Sequence, residues 1–159
     1  MRPLIFLADD DPLIRALVEL RLNVDGYNVV SVDDGDQVVQ RLTAISPALI
    51  ILDLQMPRMG GLAVLQILAK DPRLDRTPIM MLTASADAAD VRSAAALGVS
   101  AYVLKPFEPD VLAGRVRRIL AAPKMVRRAP GVVRQAQPAP AAHATDAPTD
   151  DPDPIELDI

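Results

Sequence analysis

Cysteine and tryptophan are absent from this chain, histidine occurs once, and phenylalanine and tyrosine occur twice each. Without cysteine there is no disulfide, no thiolate metal site and no cysteine nucleophile, and a reducing compartment is the natural fit. With 3% aromatic residues the core has to be aliphatic, and no platform exists on which bases could stack. Basic charge is also in deficit. Lys and Arg number 17 against 21 Asp and Glu, a net charge of -4, which argues against nonspecific affinity for nucleic acid. No apolar run approaches membrane-spanning length. The first run, after Met1-Arg2-Pro3, is too short for a signal-peptide core and ends at once in aspartates. A cytoplasmic protein without membrane insertion is expected.

What the chain does have is a set of short apolar runs that end in polar residues. Leu4 to Ala8 runs into Asp9-Asp10-Asp11, and Ala48 to Leu52 runs into Asp53. Ile79 to Leu82 ends in Thr83, and Ala101 to Leu104 ends in Lys105. Buried parallel strands read as short continuous apolar runs, and open parallel sheets bind ligands outside the carboxyl ends of their strands. Carboxylates, a hydroxyl and an ammonium would therefore meet on one edge. Clustered carboxylates repel one another. A hard divalent cation relieves that repulsion, and oxygen ligands are what Mg²⁺ prefers.

Strand-like and helix-like segments alternate as far as residue 122. Strands are expected over residues 4–8, 27–32, 48–52, 78–82 and 101–104. The first helix starts at Pro12 with Asp11 as its cap, and Ile14, Leu17, Val18 and Leu22 recur in it at helical spacing. Further helices are expected over 34–44, 62–70, 86–97 and 108–121, with Gly98 as a C-terminal cap. Five β-α units with right-handed crossovers predict a doubly wound α/β domain around a five-stranded parallel sheet. Gly60-Gly61 lacks the Gly-Lys-Ser/Thr continuation of a phosphate loop and reads as loop flexibility before a helix.

The composition changes after residue 122. Lys124, Arg127, Arg128 and Arg134 come with no acid between them, and a Pro/Ala stretch leads to Asp146, Asp150, Asp151, Asp153, Glu156 and Asp158. Residues 123–159 read as a disordered tail, basic and then acidic. His143 lies in it, where a phosphohistidine or metal role has no support. The organisation expected is one domain over 1–122 plus this tail, with no DNA-binding domain following and so no direct DNA binding.

Ala8-Asp9-Asp10-Asp11-Pro12, Leu52-Asp53-Leu54-Gln55-Met56-Pro57, Leu82-Thr83-Ala84 and Leu104-Lys105-Pro106-Phe107 together resemble the receiver domains of two-component response regulators. The resemblance covers about residues 3–121. It implies a flavodoxin-like (βα)5 fold with strand order 2-1-3-4-5. It implies that Asp53 accepts a phosphoryl group, and that Asp9, Asp10, Asp53 and the backbone carbonyl of Gln55 hold Mg²⁺, with Mn²⁺ as a substitute. Lys105, the Thr83 hydroxyl and the Ala84 N–H would bind phosphoryl oxygens, next to a cis Lys105-Pro106 bond. Thr83 and Tyr102 would form a switch in which Tyr102 rotates inward. The resemblance places Gln55 and Ser85 where dephosphorylation is tuned, and neither is a strong acid or base.

The function so implied is a single-domain response regulator. It would be phosphorylated by a histidine kinase or a histidine phosphotransfer protein, and would signal through a changed protein-binding face or a phosphorelay. It would catalyse its own phosphorylation and slow dephosphorylation without being a conventional enzyme. Two other readings stay open. One is a receiver-like binding module that is never phosphorylated. The other is a phosphatase resembling the haloacid dehalogenases, since Asp9-Asp10-Asp11 has their Asp-x-Asp spacing. It would leave Asp53 without a role, and no segment is long enough for a substrate-covering cap.

Overall fold

Each apolar run becomes a strand, and the strands are joined by helices that cover both faces of one sheet. A computed structural model describes residues 1–85 and 87–124. The strands are β1 (Leu4–Ala8), β2 (Asn28–Val32), β3 (Leu49–Asp53), β4 (Ile79–Thr83) and β5 (Ala101–Leu104). The helices are α1 (Pro12–Val24), α2 (Gly35–Leu42), α3 (Gly61–Leu68), α4 (Ala88–Ala96) and α5 (Pro109–Ala121), with a 3-10 turn at Pro72–Leu74. All strands are parallel in the order β2-β1-β3-β4-β5. This is the order that was expected. Among the described residues, no helix is long and apolar enough to cross a membrane.

Alternation along the strands divides the core in two. Phe6, Ile50, Leu52 and Met81 pack with Val38, Leu42, Val64, Leu65 and Ala94 of α2, α3 and α4. Ile5, Leu7, Ile51, Met80 and Leu82 pack with Val18, Leu22, Leu112 and Val116 of α1 and α5. β3 and β4 are buried along their whole length, which is why they read as unbroken apolar runs instead of alternating ones. Full burial of each large aliphatic side chain contributes about 2 kcal/mol.

Several boundaries differ from expectation, each for a local reason. Asp53 and Thr83 are the last residues of β3 and β4 and not the first residues beyond them. Both still pair: Asp53 lies opposite Leu82, and Thr83 opposite Leu104. Asp34 sits outside α2 as its cap, accepting the Gln37 N–H at 3.1 Å. β2 begins at Asn28 because Gly26, with φ of 90°, turns the chain just before it. α4 begins at Ala88 behind the Asp87 cap, and residue 86 lies outside the described residues. Gly98 follows α4 with φ of 80°, and its N–H reaches the Ala95 carbonyl at 3.0 Å, as a C-terminal cap requires. Leu17 does not join the buried face of α1 and is 39% exposed. The expected tail, apart from Pro123 and Lys124, lies outside the described residues.

Candidate functional site

The sheet register assembles the site. Ala8 pairs with Leu52, so the next residues, Asp9 and Asp53, stand level at the carboxyl ends of two adjacent central strands. Thr83 pairs with Leu104, so Lys105 emerges one step beyond Thr83. Asp9, Asp53 and Thr83 are all buried, while Asp10, Gln55 and Ala84 are exposed around them.

Lys105 lies between the two buried carboxylates. Its Nζ is 2.6 Å from Asp9 Oδ2 and 3.2 Å from Asp53 Oδ2. The Gln55 N–H donates to Asp53 Oδ1 at 3.2 Å, and the Asp11 N–H to Asp9 Oδ1 at 2.9 Å. Asp11 also caps α1, accepting from the Leu13 N–H at 2.8 Å. The Arg15 guanidinium donates to the Asp9 carbonyl at 2.7 Å, fixing the backbone behind the cluster. The Lys105-Pro106 bond is cis.

Charge in this cluster is out of balance. Burial, and then the neighbouring Asp9 charge, push the Asp53 carboxyl up to about 6, against the pull of Lys105 and the Gln55 N–H. Burial disfavours the Lys105 ammonium, but its contacts with Asp9 and Asp53 outweigh that and hold its pKa above the ordinary lysine value. One ammonium thus serves two buried acids. Oxygens of Asp9, Asp10 and Asp53 lie within 4.8 Å of one another, and among the described residues the buried Asp9 Oδ2 has the Lys105 ammonium as its one partner. An all-oxygen donor set of three carboxylates, served by one ammonium, fits a hard divalent cation. The arrangement could therefore hold a metal ion at the carboxylates of Asp9, Asp10 and Asp53.

Beside it, the buried Thr83 hydroxyl accepts the Ser85 N–H at 3.0 Å. The Tyr102 hydroxyl is also buried, beside Thr83, and among the described residues it completes no well-aligned hydrogen bond. Burial raises its pKa above the ordinary phenol value, while the nearby Thr83 works in the opposite direction. The Tyr102 ring packs against the core beneath α4.

Two contributions to the site escaped the sequence reading. Gly61 is not a flexibility element. A Cβ there would lie 2.0 Å from the Asp53 carbonyl oxygen and 2.9 Å from Leu54 Cα, and its N–H donates to the Leu54 carbonyl at 2.8 Å. Only a glycine lets α3 start this close to the strand end that carries Asp53. The second is Arg58, in the left-handed conformation at φ of 60°. Its guanidinium pairs with the buried Asp34 carboxylate, and at 3.7 Å with Asp36, tying the loop after Asp53 to the start of α2. A double glycine a few residues past a strand-end aspartate was the available signal for the first. Nothing local signalled the second.

A family model described as the response regulator receiver domain matches residues 5–117. The DNA-binding response regulator MtrA of Mycolicibacterium smegmatis is 37% identical over 117 residues, covering 74% of this chain and 50% of that protein. The chain spans about half the length of the curated relatives it matches. Among solved structures, the chemotaxis response regulator CheY4 of Vibrio cholerae aligns with a TM-score of 0.71 at 27% identity, over 75% of this chain and 99% of that one. The phosphorylated cyanobacterial phytochrome response regulator RcpA aligns at 0.65 and 29% identity, over 75% and 91%. With the sheet order, the strand-end acids and a matching family model in agreement over most of its length, this chain belongs to the receiver domains of two-component response regulators.

Proposed function

We propose that residues 1–122 form a phosphoacceptor domain in which Asp53 takes a phosphoryl group from a phosphohistidine on a kinase or phosphotransfer protein. The observation that carries this reading is the Asp53 carboxylate itself, buried at a strand end with Lys105 Nζ at 3.2 Å and Asp9 beside it. An Asp53 oxygen attacks phosphorus, the bond to the donor nitrogen breaks, and the histidine leaves with the electron pair. Lys105, already held at the carboxylates, moves its charge onto a phosphoryl oxygen. The Thr83 hydroxyl and the Ala84 N–H complete the oxygen cradle.

Asp9, Asp10, Asp53 and the Gln55 carbonyl would hold Mg²⁺, or Mn²⁺ in its place. When bound, the cation offsets negative charge that Lys105 alone cannot balance. The MtrA name carries DNA binding for that protein. For the described residues of this chain the output proposed is a protein contact or onward phosphoryl transfer. In the switch, the Thr83 hydroxyl leaves the Ser85 N–H for the phosphoryl group. That alters the α4-β5-α5 face, where Leu104 and Val111 stand exposed.

The exposed face of α1 suits the donor. Leu13, Leu17, Leu20 and Val24 are 78%, 39%, 68% and 75% exposed. Their 4-3-4 spacing makes one apolar stripe along α1. It starts two residues from Asp11, beside the acidic cluster, so a partner helix laid along it would reach the site. The alternative phosphatase reading leaves Asp53 idle at the centre of the cluster, and the family match argues against it.

Intact mass after incubation with acetyl phosphate and Mg²⁺ tests the proposal. One added phosphoryl group is expected on the wild type and none on Asp53→Asn. No adduct on either would overturn it in favour of a binding module that works without phosphorylation.

A further inference from the structure

The opposite edge of the sheet carries a feature that phosphoryl transfer does not use. A cleft of about 560 Å³ opens where the strands begin, and Leu4, Ala48 and Thr77 form part of its wall. Arg2, Arg73, Arg76 and Lys124 line it, and no acid does. Arg73 is partly engaged, with Asp71 at 2.6 Å and the Thr43 carbonyl at 3.1 Å. Among the described residues, Arg2, Arg76 and Lys124 have no ion-pair partner. Four cations around one cleft, in a protein of net charge -4, call for an anionic occupant. Strand length puts the cleft about 16 Å from the strand ends that bear Asp9 and Asp53.

The chain supplies such an occupant. Residues 146–158 hold Asp146, Asp150, Asp151, Asp153, Glu156 and Asp158 and no Lys or Arg. Lys124, the residue after which the chain continues toward them, is itself part of the cleft wall. The intervening residues 125–145 can extend to about 70 Å, several times what a return to the cleft requires. Tethering makes the encounter intramolecular, at an effective concentration of up to roughly millimolar, so individually weak exposed ion pairs add up to an occupied site.

We propose that the acidic segment 146–158 docks in the cleft lined by Arg2, Arg73, Arg76 and Lys124, at the sheet edge opposite Asp53. Docking neutralises this basic face of the domain and leaves the phosphoacceptor edge open. It does not depend on the phosphorylation state of Asp53 and stands apart from the proposed function.

The test compares backbone amide shifts of the full chain with those of a variant carrying D146N, D150N, D151N, D153N, E156Q and D158N. The comparison is made at about 0.01 M salt, where the screening length is about 30 Å, and at about 1 M, where it is about 3 Å. The proposal expects low-salt shift differences at Leu4, Ser46, Ala48, Arg76 and Thr77 that disappear at high salt and do not change with protein concentration. A double variant Arg2→Glu and Arg76→Glu should reproduce them, and Asp53→Asn should leave them intact. Differences confined to residues 125–134 would mean that the acids pair with the basic stretch after Lys124, and would overturn the proposal. Differences that grow with protein concentration would assign the contact to a second copy and also overturn it, as would none at all.

Discussion

Replacing Asp53 by Asn should stabilise the protein, and the gain should depend on pH in a way set by the site. Burial and the Asp9 charge raise the Asp53 carboxyl from 3.8 to about 6. A group raised in the folded state contributes full stability below its unfolded pKa and loses it as pH rises through its folded pKa. The folded protein therefore loses stability between about pH 4 and pH 6 as Asp53 ionises against its surroundings. A move from 3.8 to about 6 corresponds to about 3 kcal/mol undiluted, and solvent screening at the open edge reduces it to about 1–2 kcal/mol. Asparagine keeps the shape, keeps an acceptor for the Gln55 N–H now 3.2 Å from Oδ1, and leaves Lys105 paired with Asp9 at 2.6 Å. The assay is urea unfolding of both proteins from pH 4 to pH 8 without divalent cations. With a slope of about 1–1.5 kcal/mol per molar urea, the Asn variant should unfold about 1 M later at pH 7.5, and the two midpoints should converge near pH 4. Mg²⁺ should narrow the gap at neutral pH by stabilising the wild type more than the variant. Equal midpoints at pH 7.5, or a constant gap at all pH values, would refute the idea that Asp53 is held against its charge.

Gly61→Ala should cost about 1–3 kcal/mol of stability from overpacking alone, because its Cβ would meet the Asp53 carbonyl oxygen at 2.0 Å. It should also slow phosphorylation by acetyl phosphate, since the strand end holding the acceptor has to shift. Tyr102→Phe removes a buried hydroxyl that completes no well-aligned hydrogen bond among the described residues, so thermal unfolding should show no loss of stability and a gain of up to about 1 kcal/mol. Leu20→Asp, at a 68% exposed position on α1, should leave the acetyl phosphate reaction unchanged and cut transfer from a phosphohistidine donor at least tenfold, read by the rate of label transfer.

Much of the site was legible in the sequence because strand-end position is a one-dimensional property. An apolar run that stops at Asp9, Asp53, Thr83 or Lys105 states which residue ends or follows the strand and on which edge of a parallel sheet it lies. The apolar stripe of α1 is equally one-dimensional, but Leu17 recurs at helical spacing with Ile14, Val18 and Leu22 and so reads with the buried face. Gly61 could not be read as a close-approach residue, since the clash it avoids is with the backbone of Asp53, eight positions earlier. The Arg58 to Asp34 pair joins two loops that meet only when α2 and α3 lie side by side.

The sequence determined the element order, the parallel sheet and the identity of the residues at its carboxyl edge, because hydrophobic period, caps and turns act over a few residues. The tertiary structure decided how those residues share charge. Asp9 and Asp53 became one buried pair divided by a single ammonium, and Asp53 was pushed to about 6. The Tyr102 hydroxyl was buried beside Thr83, and a basic cleft formed at the far edge. Desolvation and Coulomb interaction depend on distances between strands, and those exist only once the sheet has closed its register.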